Sequence, residues 1–288
     1  ADLAHEAMRL LTFDFQHGRL DTSHHPFCGG TPEDVRITTR FDDNDMISSL
    51  MAVCHETGHA KYEQQLPTAW RDQPVGHAIN MTVHESQSLL VEMQLCRSPA
   101  FFSALSSPIT RLFGADPQLH PDNLYHLATQ VKKSRIRVDA DEVTYPLHVI
   151  LRYELEKQLF AKTLRIQDLP EAWDDGMHRL LDIDTRGDYQ NGVMQDVHWP
   201  SGGFGYFPAY TLGRIMAAQW HQQMEHDLGD TDTLIRQGDL APLFSWLSKH
   251  IHEQGSRYTG RELLQRVTQA PLSVTPFLEH IQRRYCPP

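Results

Sequence analysis

A helix that opens at about Asp45 and runs to about Gln65, where Pro67 stops it, carries the string His55-Glu-Thr-Gly-His59. On such a helix, positions i and i+4 lie about 40° apart around the axis and roughly 6 Å apart along it. Both imidazoles can therefore reach one divalent ion from a single face. Glu56 is turned about 100° from His55, close enough to meet a water on that ion without being a ligand itself. A chain that places these groups together needs this helix, and a second element to supply the next ligand.

Charge and cysteine usage narrow the function classes. The formal net charge is −11, so no basic stripe offsets repulsion from phosphates, and nucleic acid is not an expected partner. The longest apolar runs are too short to span a bilayer, and Ala1 to Gln16 alternates charged and apolar residues unlike a secretion signal. Cys28, Cys54, Cys96 and Cys286 lie far apart and form no CxxC pair, which predicts reduced thiols in a cytoplasm.

Periodicity and punctuation predict a mostly α-helical single domain over residues 1–288. Leu3, Ala7, Leu10 and Leu11 open a first helix. Gly18, Pro26, Gly29, Gly30 and Pro32 then break the pattern, and Val35-Arg-Ile-Thr-Thr39 is rich in β-branched residues; this stretch, 17–45, reads as a hairpin or extended segment ahead of the metal helix. Asp43 or Asn44 is the expected cap of that helix. A second long helix is expected from about Val75 to Cys96, ended by Ser98-Pro99, with further ones at 121–134, 144–163, 170–182, 208–226, 231–237, 240–254, 259–268 and 274–284. The Gly-, Asp- and aromatic-rich stretch from Gly187 to Gly205 suits a functional loop.

The third ligand decides the subclass. The metzincin pattern would place Gly at 62 and His at 65, where this chain has Tyr62 and Gln65, so that subclass is excluded. Gluzincins take a Glu from a following helix. Glu85 lies 30 residues after His55, and a turn through Pro67 to Pro74 with an antiparallel return would bring it beside the histidines. Glu63 is too close in sequence to approach the ion from another direction. Glu92, two turns past Glu85, is either a partner behind the ligands or exposed, and His84 either contacts substrate or is simply packed. Two His and one Glu with a position left over suit catalytic zinc, not a closed structural site.

Five signatures in order now resemble the Taq-type thermostable metallocarboxypeptidase family. They are Asp34-Val-Arg36-Ile-Thr38, His55-Glu-Thr-Gly-His59, His84-Glu-Ser-Gln87, Ile136-Arg-Val-Asp-Ala-Asp141 and Gly192-Val-Met-Gln-Asp-Val-His-Trp199. His25-Pro-Phe27 and Gly205-Tyr-Phe-Pro-Ala-Tyr-Thr-Leu-Gly213 add to the likeness. The resemblance implies a helical, zincin-like (gluzincin) fold and a carboxypeptidase that acts on peptides with a free C-terminus. It also implies zinc on His55, His59 and Glu85, with cobalt able to replace it, and a possible homodimer. Family members extend further on the N-terminal side, so a fragment, a processed form or a truncated frame is expected here.

The resemblance also assigns roles. Glu56 takes a proton from the attacking water and passes it to the leaving amine. Arg137 reads the substrate carboxylate, with Asp141 holding local structure; the bland alternative is an i, i+4 helix ion pair between the two. His198 and Tyr210, with Tyr206 in reserve, stabilise the oxyanion, although Tyr206 and Tyr210 alone could be a core aromatic pair. Gln195, Asp196 and Trp199 shape their loop. Arg36 limits substrate length at the closed end of the groove, or else is a strand residue paired with Asp34. Two other readings stand beside the carboxypeptidase: an endopeptidase or dipeptidase of the same chemistry, and an inactive metal-binding or interaction fragment without a complete groove.

Overall fold

The computed structural model describes residues 1–286 other than 25 and 43. Where the sequence predicts one domain, the chain packs as two compact units: 1–128 with 213–288, and 129–212. No described helix is long and apolar enough to cross a membrane.

The first unit begins with α1 (Asp2–Leu10), followed by β1 (Gly18–Thr22), β2 (Phe27–Thr31) and β3 (Asp34–Thr39). The sheet order is β1-β3-β2. β2 and β3 form the expected hairpin, with Cys28 opposite Ile37, while β1 adds a parallel strand with Gly18 opposite Val35. Alternation along β3 buries Val35 and Ile37, which join a small apolar cluster with Val53 and Ala60 of the next helix, α2 (Met46–Gln64). The opposite side of α2 sends Leu50, Met51, Cys54 and Tyr62 into the main core. Covered on both sides, α2 has buried residues around most of its circumference, as expected of an interior helix. Its cap is Asp45, whose carboxylate accepts from Ser48 N at 2.9 Å, and not Asn44; Asp43, the other candidate, lies outside the described residues, as does His25.

The return segment differs from the single helix expected over 75–96. Pro74–Gly76 is one 3₁₀ turn, and Gly76 lies so near the Trp70 carbonyl that a Cβ would meet it at 2.1 Å. Asn80 then caps α3 (Met81–Leu89) through Val83 N, and the chain passes into a wholly buried seven-residue π-helix, Leu90–Cys96. Ser98-Pro99 ends that element and also starts another. Ser98 Oγ accepts from Phe101 N, Pro99 takes the first turn, and α4 (Pro99–Phe113) follows, a helix absent from the expected set. α5 (Pro121–Ala128) stops six residues short of the expected 134.

The second unit contains α6 (Tyr145–Phe160) and α7 (Leu169–Leu181), joined by Leu151, Leu155, Trp173 and Met177. α8 (Pro208–Leu228) runs across the sequence boundary at 212/213 into the first unit, which ends with α9 (Thr231–Arg236), α10 (Ala241–His250), α11 (Gly260–Thr268) and α12 (Thr275–Tyr285). After α10, buried His252 bridges two glutamines, with Nδ1 2.7 Å from Gln65 Oε1 and Nε2 2.8 Å from Gln87 Oε1.

The approach of α2 to α3 depends on Gly58. A Cβ there would lie 2.6 Å from Ser88 Cα and 2.8 Å from the Gln87 carbonyl oxygen, both main-chain atoms that cannot swing aside. Gly58→Ala is therefore expected to destabilise the protein by about 1–3 kcal/mol through overpacking, measured by urea unfolding. A stability equal to wild type would show that the two helices part freely.

Candidate metal centre

α2 supplies His55 and His59 on one face, and α3 supplies Glu85, buried at 5% exposure. Glu85 Oε2 lies 3.8 Å from His55 Nε2 and 4.0 Å from His59 Nε2. The three donor atoms fall within 4.8 Å of one another. A second glycine seats this group from behind: a Cβ on Gly213 of α8 would stand 3.0 Å from Glu85 Cβ and 3.2 Å from Ser86 N.

The far nitrogens of both histidines are held. Glu92, carried by the π-helix, meets His55 Nδ1 through Oε2 at 2.9 Å and receives Arg97 through Oε1, at 2.8 Å from Nη2 and 3.2 Å from Nε. A carboxylate only accepts, so His55 Nδ1 carries a hydrogen, and Nε2 becomes a donor of electrons once it gives up its own proton. His84 Nε2 lies 2.7 Å from Glu63 Oε1, and its Nδ1 faces His59 Nδ1 at 2.6 Å. Glu63 accepts from His84 Nε2–H, and one hydrogen lies along the Nδ1–Nδ1 contact; when His59 donates it, His59 Nε2 also faces inward as a base. His84 is thus neither loose packing nor ligand, but a link from His59 to Glu63.

Buried charges set the proton affinities. Burial alone would lower His55, but its hydrogen bond and charge contact with Glu92, with help from Glu56 and Glu85, raise it to about 9. Burial, His55 and His84 hold His59 well below its ordinary value. Glu56, 7% exposed, is pushed up to about 7 by burial and by Glu85 and Glu92, against the pull of His55. Burial would raise Glu92 too, yet Arg97 and His55 keep it down near 2.

The remaining expected residues divide by unit. Arg36 is exposed on β3 and pairs with Asp34 at 2.7 Å. In the second unit, Arg137 lies on a 3₁₀ turn, Arg137–Asp139, so the helical pair with Asp141 does not form. Its partner is Asp196, reached at 3.0 Å from Nε and 2.7 Å from Nη2, while Nη1 donates to Tyr145 Oη at 2.5 Å. Asp141 instead accepts from Val143 N, Thr144 N and Lys132 N. Asp196 also receives Arg152, a buried arginine that sequence reading missed, at 2.7 Å from Nε. Gln195 joins the same pair, its Oε1 accepting from Arg137 N and Arg152 Nη2. His198 Nε2 is 3.1 Å from Tyr210 Oη, its ring lies 4.3 Å from that of Phe207, and Tyr206 packs 5.4 Å from it. Burial and the charge of Arg137 lower the His198 pKa, favouring the neutral ring. Glu156 of α6, also missed, holds the loop by accepting from Trp199 Nε1 and Gly205 N.

A model of the carboxypeptidase Taq (M32) metallopeptidase family matches residues 1–285. The chain belongs to that family. Thermostable carboxypeptidase 1 of Thermus thermophilus is 41% identical over 283 residues, covering 97% of this chain and 55% of that protein. Carboxypeptidase 1 of Bacillus subtilis is 37% identical over 280 residues, 96% of this chain and 55% of the relative. Among solved structures, Trypanosoma cruzi metallocarboxypeptidase 1 superposes with a TM-score of 0.96 at 42% identity, over 99% of this chain and 59% of that one. The M32 carboxypeptidase of Deinococcus radiodurans R1 gives 0.94 at 35% identity, over 98% and 57%. The chain thus spans rather more than half the length of the relatives it matches. The family resemblance and the mostly helical fold read from the sequence are both borne out.

A metallopeptidase family implies a divalent metal, and the donor set fits one: two imidazole nitrogens with their hydrogens turned outward and a carboxylate oxygen converge on one point. Below pH 9 a cation must displace the proton from His55. Apparent affinity should therefore rise roughly tenfold per pH unit between 7 and 9 and level off above. Chelator competition across that range checks this; a flat profile between pH 7 and 9 would contradict it.

Proposed function

We propose that the protein is a zinc-dependent metallocarboxypeptidase that hydrolyses the C-terminal peptide bond of peptides. The observation that carries this reading is the convergence of His55, His59 and Glu85 beside Glu56 in a chain of the M32 family. Cobalt is proposed as a functional substitute, since two imidazoles and a carboxylate suit either ion.

When bound, the cation supplies Lewis-acid polarisation of the carbonyl and acidifies a water. The proton work belongs to Glu56. Its carboxylate, buried beside the two histidines and turned from the ligand face, is placed to take a proton from the water and return it to the leaving nitrogen. Glu92 and the His84–Glu63 pair keep the imidazoles from turning.

For the second unit the roles are assigned by family resemblance and supported by side-chain chemistry. His198 and Tyr210 are proposed as oxyanion donors and Arg137 as the partner of the substrate carboxylate, with Tyr206 and Arg36 contributing to substrate binding. A guanidinium has five N–H donors, and the bonds from Arg137 Nε, Nη2 and Nη1 to Asp196 and Tyr145 use three, leaving two for a carboxylate. Four unpaired thiols support a reducing, cytoplasmic compartment, and the resemblance supports a homodimer.

Release of the last residue from an N-blocked dipeptide tests the reading. Glu56→Gln is expected to lower kcat by about 10²–10⁴-fold while leaving zinc affinity within a few-fold of wild type, and chelator should abolish turnover. Activity that survives chelation overturns the mechanism. Equal cleavage of a peptide whose C-terminus is amidated favours an endopeptidase instead, and zinc binding without hydrolysis favours a non-catalytic metal-binding module.

A further inference from the structure

We infer that Arg97 is a positioning residue for the metal centre, acting on His55 through Glu92. Arg97 reaches the centre through Glu92. It stands directly after the π-helix, and its backbone N bonds the Glu92 carbonyl at 3.0 Å, five residues back, so the wide turn brings its side chain beside that of Glu92. Nε and Nη2 both donate to Glu92 Oε1, leaving Oε2 for His55 Nδ1. One carboxylate is thus divided, one oxygen for the guanidinium and one for the imidazole. Without the guanidinium, Glu92 would keep its tie to His55 but lose what sets its own angle inside the core.

The third arm of Arg97 explains why an arginine stands here. Nη1 donates to the Ala128 carbonyl, the last residue of α5, where a helix end presents unpaired carbonyls and favours a cation. The planar fork therefore joins the end of α5, the π-helix and the back of His55 in one rigid piece. A lysine could neutralise Glu92 but lacks the planar fork that also bonds the Ala128 carbonyl.

This inference rests on the metal reading above and is tested on the whole protein with cobalt and zinc alone. Arg97→Ala is expected to weaken zinc affinity about 10–100-fold and to shift the visible d–d bands of the cobalt-loaded protein. Arg97→Lys should recover part of the affinity but not the spectrum. In a double-mutant cycle with Glu92→Gln, the double variant should bind zinc no more than about threefold worse than the weaker single variant, because both act through one link. Additive losses, or wild-type affinity and spectrum in Arg97→Ala, overturn the role while leaving the metal site standing. Should Arg97→Ala fail to fold, Arg97→Lys carries the spectral test, and an unchanged spectrum there overturns the role equally. A wild-type protein that binds neither ion overturns the metal reading and this role together.

Discussion

The contact between the main chains of α2 and α3 at Gly58 governs the rest of the molecule. Because Gly58 has no Cβ, α2 can approach Ser88 closely enough for Glu85 to face two histidines that leave α2 one turn apart. The β-sheet and the helical core grip α2 from opposite sides, so that distance is not free to drift. Gly213 repeats the device from α8, placing a third backbone against Glu85. Glycine at these positions exchanges side-chain packing for main-chain proximity, which sets ligand atoms more rigidly than long side chains could.

The same compression gathers negative charge. Glu56, Glu85 and Glu92 are all buried within reach of one another's fields. Arg97 answers Glu92, and Glu63 has His84 as its partner. The repulsion left between Glu56 and Glu85 is one that a divalent cation would relieve, so the metal-free centre is the state in which Glu56 is raised.

How much of this could be read from the chain follows from the range of each interaction. His55, Glu56 and His59 are legible because their geometry is local to one helix, and Glu85 because a proline-marked turn implies an antiparallel return. Helix limits were legible where caps were unambiguous. They failed at Ser98-Pro99, where the residues that stop one element also start α4, and at Leu90–Cys96, since widening from an α- to a π-helix has no signature in residue type. Glu63 is too close in sequence to the histidines to serve as a ligand from another direction, and its pairing with His84 of α3 depends on how the two helices meet. The Arg137 partner could not be inferred from local spacing: Asp196 and Arg152 meet it only once the loop is folded.

His252 bears on the order in which the molecule can assemble. It bridges Gln65, just after α2, and Gln87, on α3, yet it enters the chain only after the entire second unit has been made. During synthesis α2 and α3 therefore stay unbridged until a side chain made after the whole second unit arrives. Such long-range closure belongs to slow folding, so the pairing of these two helices is completed late.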